Sequence, residues 1–176
     1  MDDAHLQAWH DSLTASPKDS GSVVHCVTRP ADGERALPES LDISVESGIE
    51  GDLWNAKKDP ERKAQVSLMN IHVVRSVAAS EDPERLALSG DNLLVDLDVG
   101  TENLPVGTAL EVGDLRMVVT DQPHLPCKLF RGRYGDDAVT CIAWSVKQGH
   151  RGRGVMCRVE AAGTVRVGDT IRVSRA

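Results

Sequence analysis

Aromatic residues are nearly missing from this 176-residue chain, which holds three tryptophans, one tyrosine and one phenylalanine. A surface that stacks bases needs rings, so a single-strand nucleic-acid platform is excluded, and the core must be built from Val, Leu, Ile and Ala. Excess positive charge is also lacking. Lys and Arg number 20 against 27 Asp and Glu, a net charge of −7, which argues against non-specific nucleic-acid binding. No run approaches the roughly 20 apolar residues of a membrane span. The start, Met1-Asp2-Asp3-Ala4-His5, is acidic with no apolar stretch behind it and does not read as a secretory signal. The four cysteines, Cys26, Cys127, Cys141 and Cys157, form no CxxC pair, which excludes zinc-ribbon and thioredoxin readings. Reduced thiols in a cytoplasmic protein are the expectation.

Of what is present, Leu6, Trp9 and Leu13 predict an amphipathic helix over residues 3–15, with Asp2 or Asp3 as cap. Residues 1–20 read as a helical extension and 21–176 as the main domain. Ser22–Thr28 and Val66–Met69 read as strands. Asn70 is placed to cap a helix carrying Ile71, Val74 and Val77, and Pro83 opens a second short helix within residues 80–88. Residues 29–65 are polar and loop-rich, with short strands at most, a length of loop that is often functional. From Asn92 onward the pattern turns to strands. Alternating segments flank Gly113-Asp114 and again Gly168-Asp169, predicting two hairpins. The fold class is therefore mainly β: a small antiparallel barrel with a few short helices.

The segment Asp121-Gln122-Pro123-His124-Leu125-Pro126-Cys127-Lys128 is the strongest candidate for chemistry. Two prolines fix the backbone ahead of one sulfur. Lys128, Arg131 and Arg133 bring positive charge to it, and a helix beginning at Pro126 would add its amide ends. Such a setting favours the thiolate, which is both nucleophile and soft metal ligand. Cys26, Cys141 and Cys157 lie in apolar patterns and read as packing residues. Two basic groups suit an anion: Lys57, Lys58, Arg62 and Lys63, and the run Gly149-His150-Arg151-Gly152-Arg153-Gly154. Phosphate-loop, GxSxG and HExxH motifs are absent, so those hydrolase classes are not indicated.

Several segments together, in order, resemble the MOSC domain, the family named after the C-terminal domain of molybdenum-cofactor sulfurases. They are Gly48-Ile49-Glu50-Gly51-Asp52, Gln65-Val66-Ser67-Leu68-Met69, Gly90-Asp91-Asn92-Leu93, Leu104–Thr108 with Val112-Gly113-Asp114, Pro126-Cys127, Gly152–Val155 and Gly163–Asp169. The resemblance implies a barrel like that of the pyruvate kinase barrel domain. It implies that Cys127 carries sulfur or ligates the molybdenum of a pterin cofactor, and that Gly51, Asp52, Gln65 and Asn92 line the pocket. The cofactor's phosphate would then fall to cations such as Lys63, Arg131 and Arg153. Where many members follow Gly-Asp with a histidine, this chain has Leu53-Trp54-Asn55, and Ala64 stands where an arginine is common. Three functions follow as expectations. The first is a molybdenum-dependent reductase of N-hydroxylated compounds that draws electrons from a separate donor protein. The second is a persulfide carrier fed by a sulfur-donor protein. The third is a non-catalytic binding or interaction module that keeps the barrel without the cofactor.

Overall fold

The computed structural model describes residues 1–175. In chain order the elements are α1 (Asp3–Asp11), β1 (Ser20–Cys26), β2 (Ser40–Ser44), β3 (Gly48–Ile49) and β4 (Val66–Asn70). They continue with α2 (Ile71–Ala78), α3 (Pro83–Ala87), β5 (Leu93–Asp96), β6 (Ala109–Val112) and β7 (Leu115–Val119). The last are α4 (Lys128–Lys147), β8 (Val155–Ala161), β9 (Gly163–Arg166) and β10 (Thr170–Ser174). Seven strands close a barrel in the order β1-β10-β6-β7-β8-β4-β5, and β3-β2-β9 form a separate small sheet. Neighbouring barrel strands are antiparallel except β4 and β5, which run parallel. A parallel pair needs a crossover, and α2 and α3 supply it.

Alternation explains the barrel wall. In β8, Val155, Cys157 and Val159 point inward while Arg158 and Glu160 face solvent. The interior is aliphatic, with Leu68, Leu93, Val95, Leu110, Leu115 and Val119 among its residues, as the shortage of rings requires. β4 and β5 are buried on both faces, because a second cluster (Met69, Leu94, Val74, Phe130, Tyr134, Ile142) packs α2 and α4 against their outer side. Asn70 caps α2, its side chain accepting from the backbone N–H of His72 and Val73. Leu6 seats α1 against Cys141 and Trp144 of α4, and His10 stacks on His150 with ring centroids 3.8 Å apart.

Three expectations need correction. The segment around Gly113-Asp114 is a hairpin, with Val112 opposite Leu115, but the one around Gly168-Asp169 is not. There β9 pairs with β2 and β10 with β1 and β6, so the turn hands the chain from the small sheet to the barrel. The run of strands after Asn92 is interrupted by α4, whose buried positions Phe130, Tyr134, Ala138, Cys141, Ile142 and Ser145 follow helical spacing. The first helix ends at Asp11, four residues earlier than its apolar spacing predicts.

Candidate functional site

The residues that carry the site hang from the stretch 88–92, which links α3 to β5 at one end of the barrel. Asn92 is fully buried. Its Oδ1 accepts from Ser67 N–H (3.1 Å) and from the Ser67 hydroxyl (3.0 Å), while its Nδ2 donates to Asp52 Oδ2 (3.1 Å) and to the Val27 carbonyl (3.3 Å). Asp52 is held from the other side by Arg29, whose Nη2 lies 2.5 Å from Oδ1, whose Nε reaches both oxygens and whose backbone N–H donates to Oδ2 at 2.8 Å. Oδ1 of Asp52 also accepts from Trp54 N–H at 3.1 Å. The Gly51-Asp52 turn, Gly51 having φ +74°, is thereby tied to the segment after β1 and to Asn92 just before β5, and through Asn92 to β4.

Asp91, one residue before, makes a second buried node. One oxygen accepts from Arg153 Nη1, and the other meets His124 Nε2 at 2.6 Å. Burial would push this carboxyl up, but Arg153 and then His124 outweigh it and hold it at about 2. Burial lowers the proton affinity of His124 more than Asp91 raises it. Because the carboxylate only accepts, the hydrogen of this contact lies on His124 Nε2. Arg153 also donates to the Ser89 carbonyl at 2.9 Å and lies 4.9 Å from the Phe130 ring centroid, while its buried Nε has no partner.

These contacts pin the chain on both sides of Cys127: His124 to Asp91, and Phe130 beneath Arg153. Cys127 itself is exposed, whereas Cys26, Cys141 and Cys157 are buried. Leu125 and Leu129 beside it are exposed as well. α4 begins just after it, but Gly135 (φ +87°) breaks the helix, so the aligned amides near the sulfur are few and their expected contribution is small. Burial pushes the Cys26 and Cys157 thiols up to about 12, assisted at Cys26 by Asp169 and Glu39 and opposed at Cys157 by Arg151. Native protein at neutral pH is therefore expected to take up one equivalent of a small alkylating reagent, at Cys127, with the other three reacting only on unfolding. Peptide mapping after timed alkylation checks this, and equal labelling of Cys26 or Cys157 would refute it.

Other residues named from the sequence sit differently. Gln65 is buried, with Oε1 accepting from Val159 N–H (2.9 Å) and Nε2 donating to the Val45 carbonyl (2.8 Å). It braces the loop that carries Gly51. Lys63 pairs with Glu61 (2.7 Å) and Asp121 (3.1 Å), and Arg131 with Asp136 (3.2 Å). Arg62 donates to the Val45 carbonyl and Arg151 to that of Leu104. Arg153 is spent on Asp91. Arg29 and Arg35, which join this end of the barrel, drew no attention in the sequence. Their one signal is position, just after β1. Two hollows adjoin the site. One, of about 730 Å3, is lined by Ile49, Gly51, Asp52, Trp54 and Thr164. The other, of about 200 Å3, is lined by Thr120, His124, Arg151 and Gly154. Among the described residues, no helix is long and apolar enough to cross a membrane.

A closed aliphatic barrel with buried polar nodes and an exposed cysteine at one end defines a barrel domain whose loops carry its working groups. More narrowly, the MOSC domain model matches residues 46–172, and the chain belongs to that family, whose domains are associated in general with binding of the molybdenum cofactor. The fold is similar to that of the YuaD protein from Bacillus subtilis, at 20% identity and TM-score 0.61 over 88% of this chain and 95% of that one. It is also similar to YiiM from Escherichia coli (20%, TM-score 0.58, 89% of this chain and 70% of that one). A third likeness is YiiM from Geobacillus stearothermophilus (13%, TM-score 0.56, 88% and 75%). No curated protein matches at a significant level.

Proposed function

We propose that Cys127 is the working residue of this chain and that it serves as a thiolate ligand to the molybdenum of a pterin cofactor. The observation that carries this reading is its exposure, against burial of the other three cysteines. The donor set fits. A thiolate is a soft ligand suited to a metal already held by sulfur. Around residues 88–92, Arg29, Arg35 and Arg133 offer guanidinium groups to the anionic parts of such a molecule. When bound, the cofactor would supply two-electron reduction chemistry, consistent with a reductase of N-hydroxylated compounds served by a separate electron-donor protein. The chain's own part is to fix the sulfur through His124 and Phe130, and to fix the Gly51-Asp52 turn through Arg29 and Asn92.

A second reading, transfer of a persulfide sulfur held on Cys127, is favoured by one feature: neither adjoining hollow is lined by Cys127. A sulfur open to solvent suits hand-over between proteins. One experiment separates the two. The protein is purified from a host that makes the cofactor, then assayed for molybdenum and for released pterin, and weighed intact. Stoichiometric metal that disappears in Cys127→Ser supports the ligand role. A mass increment of about 32 Da on Cys127, one sulfur atom, without metal supports the carrier. Neither signal, with folded protein, refutes both.

A further inference from the structure

α1 has nine residues, too few for a helix to persist in water by itself, so it stands only while docked. Three contacts dock it. Leu6 is buried against Cys141 and Trp144 of α4. Trp9 Nε1 donates to the Ser76 hydroxyl of α2 at 2.8 Å. The His10 ring lies on the His150 ring, with centroids 3.8 Å and planes 13° apart. The chain beyond α1 is fixed separately. The Ser16 hydroxyl donates to Asp96 Oδ1 at 2.6 Å, and Asp98 N–H donates to the Pro17 carbonyl at 2.9 Å. α1 can therefore lift away about residues 12–15 while β1 stays in the barrel wall.

His150 is a fixed platform. Its N–H donates to the Ser145 carbonyl at 2.9 Å, and the Gly149 carbonyl accepts from Thr101 N–H at 2.8 Å. Trp144 stands 6.1 Å from both rings. Among the described residues, neither imidazole forms a hydrogen bond or an ion pair. The charged groups facing the stack share one hollow of about 330 Å3: Asp11 from α1, Lys18 from the segment before β1, and Asp98 from the loop after β5. α2 contributes Val73 and α4 Trp144, neither of them charged. Both carboxylates are engaged elsewhere. An Asp11 oxygen accepts from Gln7 Nε2 at 2.8 Å, and an Asp98 oxygen from Gly100 N–H at 2.8 Å. Two neutral rings stack favourably, whereas protons on both set like charges face to face. Burial, and next the charge of His150, lower the proton affinity of His10, and Asp11 and Asp98 only partly offset them. His10 therefore takes its proton more readily when α1 is undocked. Docking is complete above the ordinary histidine value of 6.5 and weakens as pH falls below it.

We propose that the stacked His10–His150 pair is a pH-sensitive latch, which holds α1 on α4 at neutral pH and releases it in mild acid when the two rings charge. Release uncovers Cys141 and Trp144, the seat of Leu6, while the barrel stays closed. The latch uses neither Cys127 nor the residues that anchor it, so metal or persulfide analysis at Cys127 can fail while the latch holds, and the reverse.

The test labels the full-length protein at about pH 7.5 and at about pH 5, either side of the histidine range. The reagent is a pyridyl disulfide, which keeps its reactivity toward thiols in acid, and peptide mapping reads each cysteine. Exposed Cys127 is the internal reference at both values. In wild-type protein the labelling rate of Cys141 relative to Cys127 is expected to rise at least about tenfold in acid, with Cys26 and Cys157 protected throughout. His10→Phe and His150→Phe each keep a ring to stack but take no proton there, so each is expected to keep Cys141 protected in acid. If a phenylalanine variant docks α1 poorly, His150→Gln replaces it. That side chain is uncharged at both values, so Cys141 is expected to label at a relative rate that does not change with pH. Protection of wild-type Cys141 in acid, or an undiminished acid step in these variants, overturns the proposal. Labelling of Cys26 and Cys157 in the same step as Cys141 marks global unfolding and overturns it as well.

Discussion

Replacing Asp91 with alanine is expected to lower the melting temperature by about 10 °C. The carboxylate is fully buried between Arg153 and His124, and Arg153 is itself only 5% exposed. Removing one member of a buried ion pair leaves the other charge stranded, at a cost of about 3–5 kcal/mol, and in a chain of this size each kcal/mol moves the midpoint by roughly 2–4 °C. His124 loses its acceptor in the same step, so the anchor on the N-terminal side of Cys127 is released. If the stranded charge is the cause, adding Arg153→Met to Asp91→Asn should raise stability above that of Asp91→Asn alone, since methionine can still pack on Phe130.

The pH dependence follows from the same pair. The folded carboxyl sits at about 2 against an ordinary 3.8, so its contribution is fully present above 3.8 and is lost as pH falls toward 2. His124 resists protonation in the folded state, below its ordinary 6.5, so acidification through that value favours unfolding. Both effects act in one direction, and the alanine variant should show a flatter stability curve between pH 4 and 2. Thermal melts of the two proteins across that range check the claim. Unchanged melting of Asp91→Ala would show that the node is dispensable.

Much of the barrel was legible because strand alternation is a local signal. Leu110, Val112, Leu115 and Met117 announce their own faces, and Gly113-Asp114 announces the turn between them. The same signal misled at Gly168-Asp169, where flanking alternation is genuine but partner choice is a tertiary matter: Leu41 of β2 lies opposite Val165, far away in sequence. α4 was legible only at its start, where Pro126 can open a helix, because Gly132 and Gly135 weaken the helical pattern in its front part, although Phe130, Tyr134, Ala138 and Ile142 already carry a spacing of four. The polar nodes divide similarly. Asp52, Asn92 and Arg153 stood out through the family resemblance. Arg29 and Arg35 did not, because nothing in a lone arginine after a strand says that it will meet a residue far along the chain, Asn92 for Arg29 and Gly90 for Arg35.

Gly154→Ala is expected to be at least as damaging as loss of Asp91, through backbone geometry and not charge. Gly154 has φ +96°, and a Cβ there would lie 1.8 Å from the Leu68 carbonyl oxygen and 2.8 Å from its carbon. No side-chain rotation relieves a collision with backbone, so β8 must shift where Val155 pairs with Leu68. Arg153, the residue before, would be carried away from Asp91, coupling the barrel seam to the buried node. Left-handed strain and overpacking together predict a loss of at least about 3 kcal/mol. Gly168→Ala supplies the control: its φ is +89° and nothing lies within 4 Å of an added Cβ, so it bears the conformational strain alone, about 1 kcal/mol. Denaturant unfolding of the two variants separates collision from strain, and equal losses would mean that the contact between Gly154 and Leu68 does not constrain the fold.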